Sequence, residues 1–434
     1  MKRILVVGAG AIGLACAHAL AKRGLQVVVV DKGMPGDACT KGNAGWIVPS
    51  LSAPIPAPGV TWRSIKWMLS SDSPLYIAPT ALPQLSRWLR EFWRHCNARD
   101  WRAGLHAVAA LNRGTLAAFD ALAGDGVEVE LHRAGLLCVF RDAAYMEEVR
   151  AEFLELRDYG YGVPTPMDGE ALRALEPALS DEVTTGFFTP EEYHVRPESL
   201  AAGYAAQLAR MGVEIRSGVR VQGGRADARS VVLETDVGAM EGDGLLVAAG
   251  AWSGELLARF GVQLPVQAGK GYSLTLDVAT PPLRRPVYFG ETKIAATPFD
   301  GAMRFAGTME LSGINERFDV RRMCGIRKGI ARYLRDPLPA GGNEWVGLRP
   351  LTPDGLPMMG RVPGLGNVWV ATGHAMLGIT LAPVTGEAMA ALIAGERGGA
   401  SLQPFEPGRF RRSSPPTAHP PSRATISSES RSIT

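Results

Sequence analysis

The 434-residue sequence is poor in the features that define several protein classes. Its five cysteines, Cys16, Cys39, Cys96, Cys138 and Cys324, are odd in number, widely spaced and never form a C-x-x-C pair. This excludes a disulfide framework and a cysteine zinc site, and it suits a reducing compartment. The seven histidines lack metal-ligand spacing, so no metal is expected. A formal net charge of +3 is too small to point to nucleic acid. No apolar run is long enough to cross a bilayer. The nearest, "AMLGITLAPVTGEAMAALIAG", is interrupted by Pro383 and Glu387 and reads as a loop before a buried helix.

What is present is the balance of a globular protein, 46% hydrophobic and 21% charged residues, in a chain longer than one core usually holds. Two domains follow from that length. The opening "MKRILVVGAGAIGLACAHALA" reads either as an export signal or as a dinucleotide-binding unit. Only the second predicts a helix, a second strand and an acid at that strand's end. All three are there: Gly13 to Arg23 is helical in pattern, and "LQVVVVD" is a strand ending in Asp31.

The glycines have separate tasks. Gly8 permits the tight turn, Gly10 lets a pyrophosphate approach the backbone beside Ala11 and Ile12, and Gly13 lets helix pack closely on strand. The helix N-terminus offers unpaired N–H groups and a partial positive charge to phosphates. Asp31, followed by Lys32, would accept ribose hydroxyls and disfavours a 2′-phosphate. The unit by itself leaves NAD and FAD open.

Downstream, "LSAPIPAPGV" is irregular because of its prolines. Leu82, Leu85, Leu89, Phe92 and Trp93 fall at helical spacing as a core stripe, and a further helix is predicted over Trp101 to Leu122. "GLLCVFRD", "TTGFFTP" and "GYSLTLDV" read as strands, and "KIAATPF" with "AMRFAGTMEL" as a hairpin around "DG". A second α/β block, from "PESLAAGYAAQLARMG" to "GDGLLVAAGAWSG", resumes after them. Two interwoven domains follow: an α/β, Rossmann-like dinucleotide domain (1–86, 195–263, 341–410) and an α+β substrate domain on a mixed sheet (87–194, 264–340). Residues 411–434, poor in apolar side chains, are expected to be a disordered tail.

The "GAGAIG" unit, "GNAGWIVPS", "KGYSLT", "VAAGAWSG", "GLRPLTPDGLPMMG" and "VWVATGHAMLGITLAP" together resemble the FAD-dependent D-amino acid dehydrogenase and oxidase family, which includes glycine and sarcosine oxidases. The similarity runs from about Lys2 to Gly395 and is nearest the bacterial dehydrogenases. At Met376 the sequence departs from glycine oxidases, which carry an arginine there; this disfavours glycine as substrate.

The resemblance implies FAD, held by the first loop and Asp31, with Arg220 and Val221 beside the adenine and Gly250 close to the cofactor. Asn43, Ala44 and Gly45 would pass the flavin ring, as would Gly373, Gly378, Ile379 and Thr380. Backbone N–H groups from Leu377 to Thr380 would stabilise negative charge on the reduced flavin. Arg349 would fork onto the substrate carboxylate. Tyr272 would shape the pocket facing the flavin, with Lys270 and Tyr193 weaker candidates, and His374 would either touch the cofactor or support the turn.

The expected reaction is oxidation of a D-amino acid by hydride transfer from Cα to flavin N5. The imine hydrolyses to a 2-oxo acid, and electrons pass to a quinone or other carrier. The alternatives are a D-proline or hydroxy-D-proline dehydrogenase, an oxygen-using oxidase, an NAD dehydrogenase and a non-catalytic dinucleotide-binding subunit. The expected location is cytoplasmic, with peripheral association at the cytoplasmic face of the inner membrane; the oligomeric state is left open.

Overall fold

The computed structural model describes residues 2–59, 75–396 and 401–410, so the expected tail at 411–434 lies outside the described residues. The opening apolar stretch is core structure. Strand Arg3–Val7 is central in a six-stranded sheet, flanked by Gln26–Val30 and Gly244–Val247. Glu214–Arg216 and Val368–Thr372 extend it in parallel, and Met358–Arg361 closes one edge antiparallel.

Both faces of this sheet are covered, which is why its strands are continuous β-branched runs without alternation. Ile4, Val6, Val27 and Val29 pack with residues of helices Ala11–Lys22, Pro197–Arg210 and Ala382–Ala394. Leu5, Val7, Val28 and Val30 pack on the other side against Val231, Leu233 and Met240 of a three-stranded antiparallel sheet. Strands Arg3–Val7 and Gly244–Val247 run in parallel register, so the chain leaves both at one edge, through Gly8 and Ala248.

The second large sheet has nine strands and mixed pairing. Its order runs Asn343–Leu351, Gln267–Asp277, Ala302–Leu311, Ile294–Phe299, Val287–Phe289, Leu136–Phe140, Thr185–Thr189 and Pro166–Asp168, with Leu75–Ile77 joined to Ala302–Leu311. The hairpin expected around "DG" is present, its turn carried by Gly301 at φ +72°. One face packs on helix Val320–Ile330 through Met323, Ile326 and Ile330. The opposite face meets the segment after the first loop: the Trp46 indole donates to Thr297 Oγ1 at 2.8 Å, and Arg304 donates to the Lys41 and Asn43 carbonyls at 2.9 Å.

Two helical expectations change. The helix predicted from Trp101 to Leu122 is two, Ala98–Asn112 and Thr115–Ala121, divided at Gly114. In helix Leu82–His95 the predicted stripe is only partly core: Leu85 is buried, but Leu82 is 43% and Trp93 66% exposed, and the buried tryptophan is Trp88, outside the stripe.

Candidate functional site

A slot of about 240 Å³ begins at the carboxyl edge of the first sheet, where ligands bind in open parallel sheets. Gly8, Gly10, Ala11, Ile12, Asp31, Lys32, Val221, Gly250, Gly378 and Ile379 line it. Gly8 sits at φ +116°, and a Cβ there would lie 2.3 Å from the Ala248 carbonyl oxygen. At Gly13 a Cβ would lie 1.8 Å from the Gly8 carbonyl oxygen, so this position is fixed by helix against strand. Gly10 differs: an added Cβ meets only Thr40 Oγ1, at 3.4 Å. Protein packing therefore does not demand glycine at 10, whereas a phosphate approaching the backbone does.

Thr40 and Trp252 line the slot and escaped the sequence reading. Thr40 Oγ1 accepts the Ala11 N–H at 3.0 Å, which caps the helix that the phosphates would face. Lys32 lies 3.6 Å from the centre of the Trp252 ring, and both line the slot. Asp31 accepts from the N–H groups of Ala9 at 2.6 Å and Gly33 at 2.8 Å, which hold its carboxylate at the loop. The slot, its cradle at Gly10 and the helix N-terminus fit a dinucleotide.

A larger cavity of about 1280 Å³ adjoins the slot, with Cys39, Asn43 and Ala375 lining both. Its floor is the front face of the nine-stranded sheet. Arg349 reaches over this face and donates to the Thr308 carbonyl at 2.7 Å. Among the described residues, no carboxylate pairs with it. Burial lowers its pKa, yet a guanidinium stays charged at any working pH. A half-buried guanidinium with one carbonyl partner retains donors for an anion.

The three non-glycine residues with left-handed backbone among those described are Lys293 (φ 55°), Thr308 (φ 59°) and Ala375 (φ 47°). All three line this cavity. Such conformations cost on the order of 1–3 kcal/mol each and cluster where function constrains the chain.

Tyr272 requires a correction. It borders the cavity, but its register opposite Val346 places its ring on the back face, one strand position from the Gly271 and Gly347 face. There its hydroxyl donates to Glu310 at 2.8 Å and its ring packs on Phe318. Lys270, on that back face too, pairs with Glu310 at 2.9 Å. Tyr193 donates to Asp120 at 3.3 Å and lines neither the slot nor the cavity.

The glycines of "GNAG" also have a different reason from the expected one. A Cβ at Gly42 would strike the Trp345 ring at 1.9 Å, and at Gly45 (φ +76°) the Val195 carbonyl oxygen at 2.1 Å. Both are set by protein contacts. Asn43 closes this turn by accepting from the Gly45 N–H at 2.8 Å. Ala44 lines only the larger cavity.

At the C-terminal loop, Gly373 (φ +77°) leaves no room for a side chain beside Thr352. His374 lines the slot, is buried, and bonds Thr385 Oγ1 through Nε2 at 3.1 Å. Its Nδ1 is buried without a partner, and burial pushes its pKa down to about 3, so it is neutral. The Leu377 N–H is already committed to the His374 carbonyl at 2.7 Å and drops out of the expected set of amides. Thr380 donates to the Trp46 carbonyl at 2.9 Å, tying this loop to the first one.

A dinucleotide slot opening on a cavity with a cation that has no carboxylate partner among the described residues fits an oxidoreductase built around a dinucleotide cofactor. Comparison with known proteins makes the class specific. Residues 3–392 match the family model described as FAD dependent oxidoreductase (DAO), and the chain belongs to that family, with FAD as its cofactor. It is 34% identical over 409 residues to the D-amino acid dehydrogenase of Xanthobacter autotrophicus, covering 91% of this chain and 95% of that one. The D-amino acid dehydrogenase of a Methylobacterium species is 33% identical over 426 residues, covering 94% and 99%. Glycine oxidase from Geobacillus kaustophilus shares the fold with a TM-score of 0.72 at 23% identity, covering 95% of this chain and all of that one. L-proline dehydrogenase from P. horikoshii does so with 0.74 at 17%, covering 94% and 97%. Among the described residues no helix is long and apolar enough to cross a membrane.

Proposed function

We propose that the protein oxidises D-amino acids to 2-oxo acids and passes the electrons to a quinone or another carrier. The observation that carries this reading is Arg349: a half-buried guanidinium without a carboxylate partner among the described residues, in a cavity adjoining the cofactor slot. Its planar donors suit a carboxylate held in two-point contact. The names of the D-amino acid dehydrogenase relatives support the substrate class.

In this reading Gly8, Gly10, Ala11, Ile12 and Asp31 hold the pyrophosphate and adenosine ribose of FAD, and Asn43, His374, Gly378 and Ile379 lie along its remaining length. Bound FAD supplies the acceptor for the hydride that leaves Cα. The protein's part is orientation: Arg349 fixes the carboxylate, so that the amine and Cα–H have one direction relative to the cofactor. No general base is required, because a substrate bound as the free amine loses its hydride directly. Neutral His374 supports the loop through Thr385 and offers Nδ1 toward the cofactor's side. Loss of the hydride from the free amine leaves a protonated imine, which water hydrolyses to the 2-oxo acid and ammonium.

The test is anaerobic bleaching of the bound flavin by paired D- and L-amino acids, followed by reoxidation with oxygen or with a soluble quinone. Bleaching by the D-enantiomer alone, reversed faster by quinone, is expected. Bleaching by neither sinks the reading, and faster reoxidation by oxygen replaces the dehydrogenase with an oxidase.

A further inference from the structure

We propose that Lys293, with Tyr145, forms a second anion subsite in the substrate cavity, so that the ligand it is built for carries a carboxylate on its side chain as well as on Cα. This rests on the reading of Arg349 as the α-carboxylate anchor. Three cations meet the front face of the nine-stranded sheet. Arg304 is satisfied, by an ion pair with Glu198 at 2.5 Å and by two carbonyls. Arg349 and Lys293 have no carboxylate partner among the described residues, and both line the cavity.

The Lys293 ammonium donates to the Tyr145 hydroxyl and lies 5.0 Å from the Tyr145 ring and 5.9 Å from that of Tyr288. Aromatic faces and a phenol hold a cation in place without neutralising it. Burial works against the charge, while the Tyr145 hydroxyl that accepts from the ammonium and the two aromatic faces favour it. Acidic residues elsewhere on the cavity wall do not compete. Glu155 pairs with Arg102 at 3.0 Å, and Glu148 and Glu152 are engaged too.

Backbone conformation adds an independent argument. Lys293 is left-handed at φ 55°, a position that glycine or asparagine would take at lower cost. A lysine there is strained, and its long side chain is what the strain delivers to the cavity.

The spacing fits one ligand class. Arg349 bonds the strand Ala302–Leu311 at Thr308, while Lys293 precedes the neighbouring strand Ile294–Phe299 and leans toward Tyr288 one strand farther on. At about 4.8 Å per strand, the two charged heads are on the order of 10 Å apart. A five-carbon dicarboxylate with a hydrogen bond at each end spans that distance.

The experiment uses the FAD-loaded full chain and two unreactive ligands, glutarate and its monoamide glutaramate, read by the shift of the flavin spectrum. Glutarate should bind at least about tenfold tighter than glutaramate, as expected for one charged hydrogen bond. In Lys293→Met the preference should fall to near unity, and Lys293→Arg should restore most of it. Equal binding by the unmodified enzyme, or an unchanged preference in Lys293→Met, overturns the proposal. Should Lys293→Met fail to retain FAD, Tyr145→Phe serves instead, with a several-fold loss of preference expected and an unchanged one counting against. The same ratio in kcat/KM for D-glutamate over D-glutamine tests the substrate. If glutarate is preferred and neither amino acid is turned over, the subsite stands and the D-amino acid reading fails.

Discussion

The Arg349 guanidinium lies directly over Gly271: a methyl group on that glycine would sit 2.2 Å from the guanidinium carbon. Register explains the geometry. Arg349 is opposite Gly269 on the adjacent strand and Gly271 is opposite Gly347, all on one face, so the arginine arm crosses a floor without side chains. Gly271→Ala should displace the head without touching the cofactor slot. The expected outcome is a rise of roughly tenfold or more in KM for carboxylate substrates, with the FAD content of the purified protein unchanged. A normal KM in this variant would mean that the arginine does not need its platform.

Removing the guanidinium itself should have a larger and more selective effect. Arg349→Ala is expected to raise KM about 10- to 100-fold for amino acids, the range of a lost charged hydrogen bond. Amines without a carboxylate should change little. Arg349→Lys should recover part of the loss, because an ammonium supplies charge but not the fork. Steady-state kinetics on matched substrates checks this; equal losses for both substrate types would count against the anchor.

The two inner glycines of the first loop should separate cofactor binding from folding. A side chain at Gly10 meets only Thr40 Oγ1 at 3.4 Å, so Gly10→Val should fold and lose FAD. Gly13→Ala would force a methyl to within 1.8 Å of the Gly8 carbonyl oxygen. It should lower stability by about 1–3 kcal/mol or more, as overpacking does. Flavin absorbance and thermal unfolding of both variants distinguish the cases, and retention of FAD in Gly10→Val would remove the pyrophosphate assignment.

Glu192 makes stability depend on pH. It accepts from the Ser50 N–H at 3.1 Å and from the Ser50 hydroxyl, but burial dominates and pushes its carboxyl up from 4.5 to about 7. The folded state therefore binds the extra proton between these values, and its stability falls as pH rises through that window. Glu192→Gln removes the effect while keeping an acceptor for Ser50. From about pH 5 to about pH 8 the variant should gain on the native protein by at most about 3 kcal/mol. His194 and His374, both pushed down to about 3, act in the opposite direction, so the comparison is made between variant and native protein at each pH. Urea unfolding provides the measurement; a difference that does not move with pH would place the carboxyl at its ordinary value.

Much of the cofactor side was legible because its signals are local. Gly8, Gly10, Gly13 and Asp31 lie within one strand, helix and strand; Gly8, Gly10 and Asp31 line one slot, and Gly13 packs the helix on the strand behind it. The hairpin around "DG" was legible for the same reason, since its turn selects its residues. Thr40 and Trp252 were not, because neither lies in a motif and both reach the slot only through tertiary packing. The "GNAG" glycines were found, but their cause was not: the obstacles at Gly42 and Gly45 are Trp345 and Val195, hundreds of positions or a separate element away.

The amino-acid sequence by itself marked the first loop as a dinucleotide-binding unit and the arginine in "GLRP" as a candidate anion anchor. Only the tertiary structure decided which strand face each side chain occupies. Side chains alternate along a strand, so neighbours such as Gly271 and Tyr272 point to opposite sides, and the sheet's packing chooses which side becomes the cavity. That choice left Tyr272 at the cavity's border with its hydroxyl turned to Glu310 on the far face, and Lys293, Thr308 and Ala375 line the cavity with it. Those three lie before one strand, within another and in the C-terminal loop, and only tertiary packing brings them to one cavity.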